Sequence, residues 1–132
     1  MAGFYGSEHG TRALERAAGL AEALCSTLVV VCVGRGLTAA AVDRVPAVSE
    51  TPSDELVFLE RARCALIPWK VDCEFVPDAG DPVDRLLEIA NSRDADLIVV
   101  GGRPHRGLSG TLRPQVGTSL ARRGGRDVLI VH

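Results

Sequence analysis

Apolar positions along the chain fall into two alternating kinds of run. Leu14, Ala17, Ala18, Ala21 and Leu24 recur at helical spacing, which predicts a helix over Glu8–Leu24 with those residues facing inward. Ser7, just before it, suits an N-cap. Ala2-Gly3-Phe4-Tyr5 reads as the stub of a strand ahead of that helix. Thr27 to Val33 is a nearly unbroken β-branched run, as expected of a strand buried on both faces. A stretch rich in Gly, Ala, Pro and Ser, residues 34–53, reads as a long connecting loop. Ser53 then opens a helix over Asp54–Ile67 that Pro68 stops. Trp69, next in line, is expected to cap a sheet edge or helix end.

Val71, Cys73 and Phe75 alternate with Asp72 and Glu74, so residues 71–76 read as an edge strand whose acids discourage further pairing. Asp81-Pro82 is an N-cap with proline at the first helical position. The helix it opens carries Val83, Leu86, Leu87 and Ala90 inward and ends near Arg93. Leu97–Val100 is another apolar strand, residues 101–113 a glycine- and arginine-rich loop, and Pro114–Arg123 a last helix. Gly124-Gly125 breaks it before a strand over Asp127–Val131. Strands alternating with helices in this order predict an α/β fold: one doubly wound parallel sheet with helices on both faces. Ligands of such sheets sit beyond the carboxyl ends of the strands, where strand order reverses. With strand one central, that crevice lies between residues 5–9 and the loop at 101–113.

At 132 residues and 46% hydrophobic, the chain fits a single domain over residues 1–132. No apolar run reaches the length that spans a bilayer, and Met1–Gly10 has no signal-peptide pattern, so a cytoplasmic location is the expectation. Cys25, Cys32, Cys64 and Cys73 form no C-x-x-C pair and read as buried, reduced thiols. Net charge is -2 but uneven: residues 1–100 hold nine basic and sixteen acidic side chains, while residues 101–132 hold six arginines and only Asp127. An arginine's planar fork grips oxyanions with two bonds, so the C-terminal third points to a small anion; a solvated cationic helix end is the plainer alternative.

Several chemistries are disfavoured. Ser7 with His9, and Ser109 with His105, lie in no nucleophile elbow and have no acid placed to orient the imidazole. No spacing of Cys and His suggests a metal. Three Phe, one Tyr and one Trp make no stacking platform, so no nucleic-acid partner is expected, nor a membrane. Gly34-x-Gly36-x-x-Ala39 formally fits a dinucleotide fingerprint, but Pro46 interrupts the helix such a site needs.

Gly6-Ser7-Glu8-His9 leading into Arg12-Ala13-Leu14-Glu15-Arg16-Ala17 resembles the first turn and helix of the universal stress protein family. Asp94-Ala95-Asp96-Leu97-Ile98-Val99-Val100-Gly101 is similar to that family's fourth strand, and Gly107-Leu108-Ser109-Gly110 and Asp127-Val128-Leu129-Ile130-Val131 are similar to its later loop and last strand. The resemblance implies five strands in the order 3-2-1-4-5 and a homodimer through the last strand. It also implies about four more residues ahead of Tyr5, so either the true start lies upstream or the first strand is short. The dimer has a second argument: Val128, Leu129, Ile130 and Val131 form an apolar edge with no alternating polar residue, and an open apolar edge needs a partner or a cap.

Many members of that family hold ATP in a loop of the form G-x2-G-x9-G-[S/T]. Laid on this chain, Gly101 matches, while Pro104, Pro114 and Gln115 depart, and Tyr5 stands where such relatives carry an Asp facing adenine. Proline has no N–H to offer a phosphate and fixes φ where glycine would be free. The loop is not hostile to anions: Gly101, Gly107 and Gly110 leave amides open, Arg103 and Arg106 bring charge, and Ser109 brings a hydroxyl. With Tyr5, Ser7 and Gln115 these make up the candidate nucleotide or anion site. The reading is a regulatory or stress-response module without catalysis and without a cofactor, recognising a partner protein or small anion. The alternative is an ATP or AMP sensor, with slow ATP hydrolysis at most; a dinucleotide-dependent enzyme ranks last.

Overall fold

A computed structural model describes residues 1–34, 54–102, 116–123 and 125–132, residues 54 and 55 by backbone alone. Among these residues the chain runs β1 (Ala2–Phe4), α1 (Glu8–Ala23), β2 (Leu28–Gly34), α2 (Asp54–Leu66), β3 (Cys73–Ala79), α3 (Pro82–Ser92), β4 (Leu97–Gly101), α4 (Val116–Arg123) and β5 (Asp127–Val131). All five strands are parallel, in the order β3-β2-β1-β4-β5. The sheet class, the strand order and the short first strand, three residues long, agree with expectation.

The apolar runs hide a strict alternation. Ala2, Phe4, Leu28, Val30, Cys32 and Val99 face α1 and α2, with Leu129 and Val131 at the rim of that layer. Val31, Val33, Ile98 and Val100 face the opposite layer with Leu86, Ile89 and Ala90 of α3 and Leu120 of α4. Both faces are covered, so nearly every strand position can be apolar. Gly3 lets α3 approach the central strand: a Cβ there would meet the Leu86 methyls at 3.0 and 3.1 Å. Leu86 itself is fully buried.

Four expectations are corrected. The edge strand begins at Cys73 rather than Val71 and continues through Pro77 to Ala79, pairing with all of β2. Proline is tolerated because β3 hydrogen-bonds on one side only, so amides on its open side have no ladder partner to lose. Leu24 is 72% exposed, because it is the C-cap of α1 and has left the helix's inward stripe. Cys25, next in line, has φ of 51° and points outward, and Cys64 lies on the solvent face of α2. Only Cys32 is buried, with Cys73 half-buried. The last helix is described from Val116; Pro114 and Gln115 lie outside the described residues, as do residues 35–53 with the Gly36 motif.

Candidate functional site

β1 pairs with β2 on one side and β4 on the other, so the chain's crossovers diverge at its carboxyl end. Tyr5, Gly6 and Ser7 form the turn there. Gly6 has φ of +70°, and a side chain on it would strike the Phe58 ring at 2.5 Å. The Ser7 hydroxyl accepts a 3.0 Å hydrogen bond from the Gly10 amide, capping α1 as expected. That bond gives Ser7 a capping role, and His9 Nδ1 has no hydrogen-bond partner among the described residues.

Gly101, the last residue of β4, closes the crevice from the other side. A Cβ on it would fall 2.6 Å from the His9 carbonyl carbon and oxygen and 2.7 Å from the Gly10 amide. Backbone meets backbone at that point, which only glycine permits. Gly102 donates its amide to the Val131 carbonyl at 2.8 Å, tying the start of the next loop to β5. Arg103, Pro104, Arg106, Gly107, Ser109, Gly110, Pro114 and Gln115 lie outside the described residues.

Tyr5 dominates the described part of the crevice. Its side chain packs on the α3 and α4 side of the sheet, against the core cluster around Val33 and Leu86. Its hydroxyl is buried and has no hydrogen-bond partner among the described residues; the same holds for His9 Nδ1. Burial, then the negative charge of Asp81, then Cys32 raise the phenol above its ordinary range. Asp81 itself caps α3, one carboxylate oxygen accepting from the Val83 and Asp84 amides at 3.0 and 3.1 Å. In the sequence Asp81 reads only as a cap and Cys32 only as core; nothing in the linear pattern sets them beside Tyr5. Burial likewise pushes the Cys32 thiol up to about 11.

Both shifts oppose ionisation in the folded state. The stability they protect is present while the groups are neutral and is lost as pH rises past the unfolded values, about 9 for Cys32 and 10 for Tyr5. Tyr5→Phe is expected to raise stability by about 1 kcal/mol, since it removes a buried donor that lacks a partner among the described residues. It should also shrink the loss between pH 9 and 11. Urea titrations of both proteins at pH 8 and 11 check this; a variant less stable than its parent at pH 8 rejects the unpartnered hydroxyl.

The cationic C-terminal third is partly accounted for by structure. Arg123 pairs with Asp84 of α3, and Arg126 with Asp94 at 3.0 Å. Both are surface ion pairs that take up part of the cationic charge.

A family model described as the universal stress protein family matches residues 1–132. The chain belongs to the universal stress protein family. Universal stress protein Rv1636 of Mycobacterium tuberculosis is 43% identical over 56 residues, 42% of this chain and 38% of that relative. The matched stretch thus spans well under half of the relative's length. The crystal structure of Rv1636 is 32% identical with a TM-score of 0.56, covering 99% of this chain and 91% of that one. A universal stress protein in complex with cAMP is 29% identical with a TM-score of 0.78, covering 99% of this chain and 94% of that one. A family member from Archaeoglobus fulgidus, at 17% identity and a TM-score of 0.73, shares the fold. This chain has the family's nucleotide-binding type of α/β fold.

Proposed function

We propose that this universal stress protein is a homodimeric regulatory module that acts by contact, catalyses no reaction, and does not hold ATP in the way the family resemblance implies. One observation carries the reading. Tyr5 stands at the end of the central strand with its ring packed on the core and its hydroxyl buried, where ATP-binding relatives carry an Asp that faces the base. Pro104 and Pro114, two positions without an N–H in the phosphate loop, support it from the sequence. No helix among the described residues is long and apolar enough to cross a membrane. A cytoplasmic location belongs to the same proposal.

The dimer would form through β5. Val128, Leu129, Ile130 and Val131 are each only partly buried, and β5 is an edge strand that pairs with β4 alone. A two-fold partner would pair its own β5 there and cover both the open ladder and the apolar side chains.

A second reading rests on the cAMP complex of the 29% identical family member. A nucleotide with one phosphate needs fewer amides than ATP and could satisfy Tyr5 and His9. Light scattering combined with a thermal-shift series tests both readings. The first expects twice the chain mass and no stabilisation by millimolar ATP; a monomer, or an ATP shift, overturns it. Stabilisation by AMP or cAMP alone, worth about 2.7 kcal/mol at a hundredfold excess over Kd, selects the second.

A further inference from the structure

Away from the crevice, a groove of about 620 Å³ runs between α1 and the end of β5, lined by the Arg12–Leu20 stretch of α1, by Trp69 and by Val131 and His132. The groove is open to solvent, and Arg12, Glu15, Arg16 and His132 of its lining are exposed. Residues 12, 15, 16, 19 and 20 form one stripe of α1. At Gly19 the stripe presents no side chain. The Trp69 ring comes close instead, its atoms 3.3 and 3.5 Å from where a Cβ would stand. Glycine inside a helix costs about 1 kcal/mol against alanine. Here the missing side chain makes room for the indole.

The groove is polar at one end and apolar at the other. α1 starts at the carboxyl ends of the strands, so Arg12 and Arg16 lie toward that end. His132, one residue past β5, lies there too. Trp69 follows α2 and precedes β3, at the opposite end of the sheet, where it meets Gly19 and Leu20. Arg12 is paired with Glu8 at 2.6 Å. Arg16 has no carboxylate within ion-pair distance among the described residues. Glu15 shares the lining and limits how much negative charge the groove will accept.

We propose that this groove binds an amphipathic monoanion, its acid group on Arg16 near His132 and its apolar body along Leu20 toward Trp69. From residue 12 to residue 20 the helix rises roughly 12 Å, which sets the length of ligand that fits. Glu15 disfavours a polyanion such as nucleic acid, and a neutral lipid would gain nothing from the Arg16 charge. The site lies on the α1 side of the sheet, away from the Tyr5 crevice, and shares Val131 with the proposed β5 interface.

Trp69 is the chain's single tryptophan, so its fluorescence reports occupancy. Titration with decanoate should give a saturable change, and decanol, of the same length without the charge, should bind at least about tenfold more weakly. Arg16→Gln should weaken decanoate about tenfold, the loss expected for one charge-assisted contact. Gly19→Leu should abolish binding by displacing the Trp69 ring, which stands 3.3 Å from the Gly19 Cβ position, with circular dichroism confirming the fold. Should Gly19→Leu not fold, Arg16→Gln decides. Equal response to decanol, an unchanged affinity in Arg16→Gln, or no saturable signal overturns the proposal.

Discussion

Gly101→Ala is expected to destabilise the protein by about 3 kcal/mol or more, a fall in Tm on the order of ten degrees for a domain of this size. The added methyl would sit 2.6 Å from two backbone atoms of His9 and 2.7 Å from the Gly10 amide. None of these is the far end of a flexible side chain. To relieve the overlap, β4 must shift away from the first turn of α1, loosening Val99 and Val100 from the core or pulling at the Ser7 cap. Gly125→Ala is the control. Gly125 has φ of +93° but nothing within 4 Å, so it should cost only the backbone penalty of about 1 kcal/mol. Urea denaturation of both variants measures the difference. A Gly101→Ala loss no larger than the control's would mean that β4 and α1 are not in the contact described.

That contact also shows what the linear sequence carries and what it does not. Helix caps and core stripes were legible because they depend on neighbours a few residues apart: Ser7 on Gly10, Asp81 on Val83 and Asp84. The parallel sheet came from alternating element types, and its order from family resemblance. Sequence and structure part where local rules yield to position in the sheet. The edge strand read over 71–76 stops short of Pro77, yet β3 carries that proline and runs on to Ala79. Leu24 fits the helical stripe by count, but the helix has ended before it. The groove beside α1 was invisible, since Gly19, Trp69 and Val131 lie in segments far apart along the chain. In the candidate nucleotide site, only Tyr5, Ser7 and Gly101 fall within the described residues. The structure brings Tyr5 and Gly101 to the same end of the sheet and engages Ser7 as a cap. The arginine and glycine positions of the 101–115 loop therefore stand as sequence expectations.

Tyr5→Asp restores the residue type that ATP-binding relatives carry at this place, and the fold is expected to resist it. Losing the ring removes apolar contacts around Val33 and Leu86 worth about 3 kcal/mol at any pH. A second cost depends on pH. A carboxyl placed where Tyr5 is buried, near the charge of Asp81, would titrate above its ordinary value of about 3.9 in the folded state. Its charged form is the disfavoured one, so stability is fullest below pH 4 and falls as pH rises through the raised value. Against the parent protein, the variant's deficit should therefore be several kcal/mol at pH 7 and narrow as pH drops toward 4. Denaturation series at pH 4.5, 6 and 7.5 track that difference. A deficit that stays constant with pH would mean water reaches the position freely. The end of β1 would then be an open base subsite rather than one filled by its own side chain, and Tyr5 would not be the residue that keeps ATP out.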